Sequence, residues 1–209
     1  MTEHEIEPIR GLPGLLPAGE RILWQGSPDA RTLARSAFHA RSVAIYFGLL
    51  TAVALGMTIA HGSGFTGALM TAALGLAAVG MLQLLGWLAA RASVYTLTNR
   101  RIVLRIGVAL PTCVNLPLTR VAAIDLSAGG DIALRLNEAP PLGWVALWPH
   151  ARPWRLARPA PMLRAVPDAA GAAALIARAC LAVQPEGRMT AVPAIPATPA
   201  RALPEAVVA

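Results

Sequence analysis

From Ser42 to Ala90 the chain has no Asp, Glu, Lys or Arg, and only His61 can titrate within the run. A soluble helical hairpin needs a polar face on each helix, and this stretch supplies none. HGSG, residues 61–64, divides it into SVAIYFGLLTAVALGMTIA, of 19 residues, and FTGALMTAALGLAAVGMLQLLGWLAA, of 26. As helices these measure about 28 Å and about 39 Å, against a hydrocarbon core of about 30 Å. Transmembrane helices are therefore expected over 42–60 and 65–90, with a periplasmic loop at 61–64. A hydrophobic fraction of 56% with only 14% charged residues agrees with a membrane protein that has a modest water-exposed part.

The flanks set an orientation. Arg31, Arg35 and Arg41 precede the first span, Arg91, Arg100 and Arg101 follow the second, and the connecting loop has no Arg. The excess of positive charge places both termini in the cytoplasm. Between Asp29 and Asp125 there is no carboxylate, so these six arginines read as membrane-surface residues facing anionic lipid headgroups. The net charge of +7, carried by Arg without any Lys, is thus assigned to a membrane surface and not to nucleic acid. RTLARSAFHAR, residues 31–41, is expected as a basic interfacial helix, with Tyr46, Phe47 and Trp87 near the inner interface. Gly48, Ala52 and Gly56 recur every four residues, a small-residue stripe suited to helix packing. It serves either the second span or the helix of another protein.

After Arg91 the period changes. VYTLT, RIVLRIG, TCVNLPL, VAAIDLS, DIALRLN and WVALW read as six short strands, an antiparallel sheet or barrel. PDAAGAAALIARACLAV reads as a helix from Asp168 to Val183, capped by Asp168, with Leu175, Ile176 and Ala179 as its apolar stripe. RILWQ, within a first strand region at 11–30, cannot bury itself alone and should pair with the strands after Arg91. The membrane hairpin is then an insertion in one β domain whose main part spans 91–183. Residues 1–10 form an acidic arm without the apolar core of a signal peptide, and the proline-rich stretch 184–209 is expected to be disordered.

LPAGERILWQGSP, two spans and then YTLTNRRIVLRIG resemble the bacterial PH-like domains attached to membrane hairpins. The resemblance implies an α+β membrane protein, with a bent seven-stranded PH-like antiparallel barrel closed by a C-terminal helix. RGLPGLLPAGERILWQGSPD, FHARSVAIYF, LPTCVNLPLTRVAAIDL and WPHARPWRLARPAPMLRAVPD narrow it over residues 8–183 to the PuhB family, the photosynthetic reaction-centre assembly proteins of purple bacteria. It implies the bacterial inner (intracytoplasmic) membrane and reaction-centre subunits as partners, with a secondary effect on core antenna polypeptides. A second copy of the chain is a further candidate partner. The alternative is a PH-like lipid-binding or scaffolding protein unrelated to photosynthesis.

Enzyme chemistry finds little support. No P-loop, G-x-S-x-G, H-E-x-x-H or G-x-G-x-x-G motif occurs, and His4, His39, His61 and His150 are far apart in sequence. No catalytic residue, metal site or resident cofactor is expected, and Cys113 and Cys180 read as two reduced thiols. His39 and His61 are either interfacial polar residues or transient ligands to the magnesium of a bacteriochlorophyll. In the loop after WVALW, His150, Arg152, Trp154, Arg155 and Arg158 combine Trp with Arg, as protein-docking surfaces do. Lipid contact and plain structural packing are the other uses of that loop.

Overall fold

The computed structural model describes residues 9–62, 64–127, 129–138, 143–153, 156 and 159–184. Most of the acidic arm and the tail after Gln184 lie outside these residues, as do Trp154, Arg155 and Arg158. β1 (Ile22–Gly26) is followed by α1 (Ala30–Ser36), α2 (Ala40–His61) and α3 (Thr66–Ala92). Then come β2 (Val94–Thr98), β3 (Arg101–Ile106), β4 (Thr112–Pro117), β5 (Val121–Leu126) and β6 (Ile132–Leu136). A short helix, α4 (Trp144–Leu147), precedes β7 (Met162–Leu163), and α5 (Ala169–Val183) ends the order.

β1 pairs antiparallel with β2, with Gln25 opposite Thr96 and Gly26 opposite Tyr95. The helices are thus inserted between two neighbouring strands of one sheet, as the sequence implied. The strands form two antiparallel sheets, ordered β1-β2-β3-β4 and β5-β6-β7. The barrel implied by the resemblance is here this pair of sheets around one core. Period-two alternation builds that core: Tyr95 and Leu97, Ile102, Leu104 and Ile106, Val114 and Leu116, and Ile132 and Leu134 all turn into it. α5 closes it with Ala172, Ile176, Ala179 and Cys180, and its N-cap Asp168 accepts from the Gly171 N–H at 3.0 Å. Cys113 and Cys180 are not joined in a disulfide.

The opposite face of β2 and β3 is buried too, through Val94, Thr96, Thr98 and Val103. Residues 10–25 provide much of the cover. Gly11, at φ 84°, lies so near Val94 that an added Cβ would meet its Cγ1 at 2.5 Å. Gln25 Nε2 donates to the Arg10 carbonyl at 2.7 Å and to Thr96 Oγ1 at 2.9 Å. Glu20, its side chain 2% exposed, takes Arg101 Nε at 2.9 Å. That ion pair corrects the reading of Arg101 as a membrane-surface residue: its guanidinium ties β1's approach to the β2–β3 turn.

Two further expectations change. WVALW is one turn of helix, with Trp144 and Leu147 inward and Val145 82% exposed. The i, i+3 spacing of the two inward residues is helical, and Pro149 halts the turn. The sixth strand after α3 is instead Met162–Leu163, paired with β6 just past Pro161.

α2 and α3 are long and apolar enough to cross a membrane, and most of their large side chains are exposed. They pack on each other through Phe47 and Gly75, where an added Cβ at Gly75 would meet Phe47 Cβ at 2.7 Å. Gly48, Ala52 and Gly56 do not serve this contact; all three are exposed, on a face of α2 turned away from α3. Spacing alone could not select the face, because the side chain that needs a glycine opposite it is Phe47. We therefore expect Gly75→Leu to cost about 1–3 kcal/mol in a detergent-denaturation titration. Gly48→Leu should change stability by less than about 0.5 kcal/mol.

Candidate functional site at the helix–sheet junction

α3 runs about 26 Å from Gly75 to Ala92, whereas α2 runs only about 10 Å from Phe47 back to Ala40. On the domain side α3 therefore outruns α2 by about 15 Å, and α1 fills the space. Leu33 of α1 packs with Ala89, Ala90 and Ala165. Gly86 permits the approach, since an added Cβ would lie 2.7 Å from Ala34 Cβ. Asp29 starts α1 as its N-cap, accepting from Thr32 N at 2.8 Å. Its own N–H donates to the Ala165 carbonyl at 2.8 Å. Ala165 holds φ at 50°, and its N–H donates to Asp131 Oδ1 at 2.8 Å. Bonds on both sides thus fix a backbone shape that alanine rarely adopts.

A hydrogen-bond chain crosses the same junction. Ser93 Oγ donates to the Ala89 carbonyl at 2.7 Å, so it accepts from His150 Nε2, 3.0 Å away. His150 Nδ1 is then the acceptor for the Tyr95 hydroxyl at 2.9 Å. That hydroxyl in turn accepts from the Arg164 N–H at 3.1 Å. The chain runs from the end of β7 through β2 and His150 into the last turns of α3. Arg164 and Asp131, both buried, approach to 3.8 Å beside it.

Burial, aided by the charge of Arg164, pushes the His150 pKa down to about 3. Burial likewise pushes the Tyr95 hydroxyl above its ordinary value. Ser93 and His150 have the spacing of a nucleophile and its base, yet they cannot act as one. The Ser93 proton points to Ala89, both residues are 1% exposed, and so weak a base takes up no proton near neutrality. The junction is a structural coupling between helix and sheet.

The other candidates fall as follows. His150 is no surface ligand for a partner, because the chain just described holds it inside. Arg152 donates to Asp125 at 2.7 Å, and Arg135 shares that carboxylate at 3.2 Å. His39 is exposed at the elbow between α1 and α2, with φ at 54°, beside a 410 Å³ cavity lined by Trp144, Trp148, Pro149 and Arg164. His61 is exposed at the other end of α2, about 33 Å away. The two imidazoles share no site. Arg31, Arg35 and Arg41 are exposed near the elbow, and Arg91 lies over the Trp87 ring at 5.4 Å. Arg100 stands at the β2–β3 turn, about 17 Å of strand from the end of α3. Among the described residues no three His, Cys, Asp or Glu side chains gather as metal ligands. The sequence reading missed Ser93, Tyr95 and Arg164; its one available signal was the lone polar His150 between WVALW and a buried strand.

The pH dependence follows from His150. Its folded pKa lies below its unfolded value, so the unfolded chain binds the extra proton first. The stabilisation is complete above about pH 6.5 and is lost as the pH falls toward 3. Between pH 7 and pH 5 this should remove about 2 kcal/mol. Unfolding titrations of wild type and His150→Gln at the two pH values check it: the loss should be absent from the variant.

Residues 38–130 match the family model described as Bacterial PH domain. The chain is 39% identical over 207 residues to a Rhodobacter capsulatus protein described as an uncharacterized 23.7 kDa protein in the puhA 5' region. The match covers 92% of this chain and 95% of that protein. No solved structure matches the chain. The chain belongs to the same family as the Rhodobacter capsulatus protein.

Proposed function

We propose that the chain is a non-enzymatic assembly factor for the photosynthetic reaction centre, of the PuhB kind, that holds subunits at the inner membrane. The observation that carries this reading is the near full-length kinship with a protein whose gene lies in the puhA 5' region. α2 and α3 cross the bilayer, with His61 outside and the PH-like domain at the cytoplasmic face. Lipid covers the exposed Leu49, Val53, Ile59, Leu69 and Leu76, which water would not. A holding factor needs no reactive group. It needs an apolar helix face and a cytoplasmic surface that catches subunit ends.

The face of α2 bearing Gly48, Ala52 and Gly56 is left open by α3 and receives a subunit helix. Arg152 and the segment carrying Trp154, Arg155 and Arg158 serve the cytoplasmic contact, and core antenna polypeptides are affected through the reaction centre. Arg31, Arg35 and Arg41, exposed together near the elbow, favour a second reading, a lipid-binding scaffold without a photosynthetic client.

Deleting the gene should lower reaction-centre content severalfold while bacteriochlorophyll synthesis continues, as read by membrane absorption spectra. Reaction centres at the normal level would leave the scaffold reading in possession. Complementation with leucine at positions 48, 52 and 56 should leave the protein inserted and stable but fail to restore reaction-centre yield.

A further inference from the structure

We infer that the turn between β3 and β4, Gly107 to Pro111, is a third membrane contact, a shallow wedge in the inner leaflet. The groove it forms with the end of α3 holds a lipid acyl chain. The inference rests on the membrane-spanning reading of α2 and α3.

The position of the turn follows from register. Val94 begins β2 two residues after α3 ends, and it pairs with Arg105 of β3. Ile106 pairs in turn with Thr112 of β4. The β3–β4 turn is therefore at the end of the sheet where α3 enters, while the β2–β3 turn with Arg100 is at the other. Gly107, at φ 104°, makes the reversal possible: a Cβ there would strike the Leu110 carbonyl.

The chemistry of the turn is unlike that of a soluble hairpin tip. Between Arg105 and Arg120 there is no charged residue, and the turn reads GVALP. Val108 is 52% exposed and Leu110 is 83% exposed. Polar or charged residues are the usual occupants of an exposed reversal.

The neighbours of the turn identify what covers it. Gly107 and Val108 line a 260 Å³ groove with Leu85 and Ala89 of α3, Phe38 of the elbow, and Trp148, Pro149 and His150. Its walls are apolar apart from Ser93 and the inward-bonded His150, so it suits an alkyl chain and offers a charged ligand nothing. Counted from the Phe47–Gly75 contact, Leu85 lies about 15 Å along α3 and the start of α2 about 10 Å, so Leu85 stands about one turn past α2, beside the elbow. Trp87 under Arg91 and Trp148, 48% exposed, stand at the same end, where indole rings favour the interface. Leu85 and Ala89 flank Trp87 along α3, so a turn beside them meets the interface that this indole marks. Leu84 and Trp87 of α3 are exposed at the same end of the helix.

The test uses the full chain in lipid nanodiscs, in a Cys113→Ser background, since Cys180 is fully buried. An environment-sensitive fluorophore is placed singly at Leu110→Cys, at Leu76→Cys in the middle of α3, and at Arg100→Cys. Lipids brominated near the top of the acyl chain should quench the probe at 110, deep-brominated lipids the probe at 76, and neither the probe at 100. Quenching at 76 without quenching at 110 overturns the wedge and leaves the spanning helices in place. Loss of quenching at both positions overturns the spanning reading and the wedge together. Equal quenching at 100 and 110 also overturns the inference, because the turn would then have no special place. Aqueous iodide provides the converse measurement: it should quench at 100 strongly and at 110 weakly.

Discussion

The pairing of β1 with β2 is the constraint that orders the molecule. Once Ile22–Gly26 and Val94–Thr98 are neighbours in one sheet, the chain between them must leave the domain and return to the same place. An even number of long antiparallel helices does that, and two apolar helices, α2 and α3, are what the sequence supplies. The sheet requires both ends of the insertion to lie at one side, the side of the PH-like domain. Burial enforces the pairing, because Thr96 and Thr98 on β2 find their partners in Gln25 and Glu20 from the other side of the insertion.

The same constraint explains the crowding at the foot of α3. The helix ends at Ala92 and the strand starts at Val94, so no linker separates the long apolar helix from the sheet. Its last turns must then satisfy the packing rules of both. Small residues do so toward α1, with Gly86, Ala89 and Ala90 against Leu33 and Ala34. A directed hydrogen-bond chain does so toward the sheet, ending on the Ala89 carbonyl. A carbonyl near a helix C-terminus wants a donor, and a buried neutral imidazole held between a serine and a tyrosine relays one.

Much of the architecture was legible because it rests on local periodicity. The uncharged run marks two helices, the change of period at Ser93 marks β2, and Asp168 marks the start of α5. RILWQ could be assigned to the sheet because a lone strand has nowhere to bury its backbone. The failures share a cause. WVALW alternates like a strand, but Pro149 and the demand for Leu147 in the core impose a helical turn. His150 reads as part of a basic loop until Ser93 and Tyr95, more than fifty residues earlier, are brought against it. Arg101 reads as a surface charge until Glu20 reaches it from the far side of the insertion. Each of these contacts is long-range, and one sequence carries no record of long-range pairing.

The stripe on α2 shows how such an error can be informative. A small-residue face that packed the two helices together would be used up within the chain. Here Gly75 performs that task against Phe47, so Gly48, Ala52 and Gly56 are left on the outside. Glycine in a lipid-facing helix gains nothing from lipid contact, and it lowers helix propensity by about 1 kcal/mol relative to alanine. Close approach of another helix is the interaction that offsets such a cost in a membrane, where apolar side chains alone drive little association. The face that the hairpin does not use is therefore the one on which the subunit helix of the proposed function would gain most by docking.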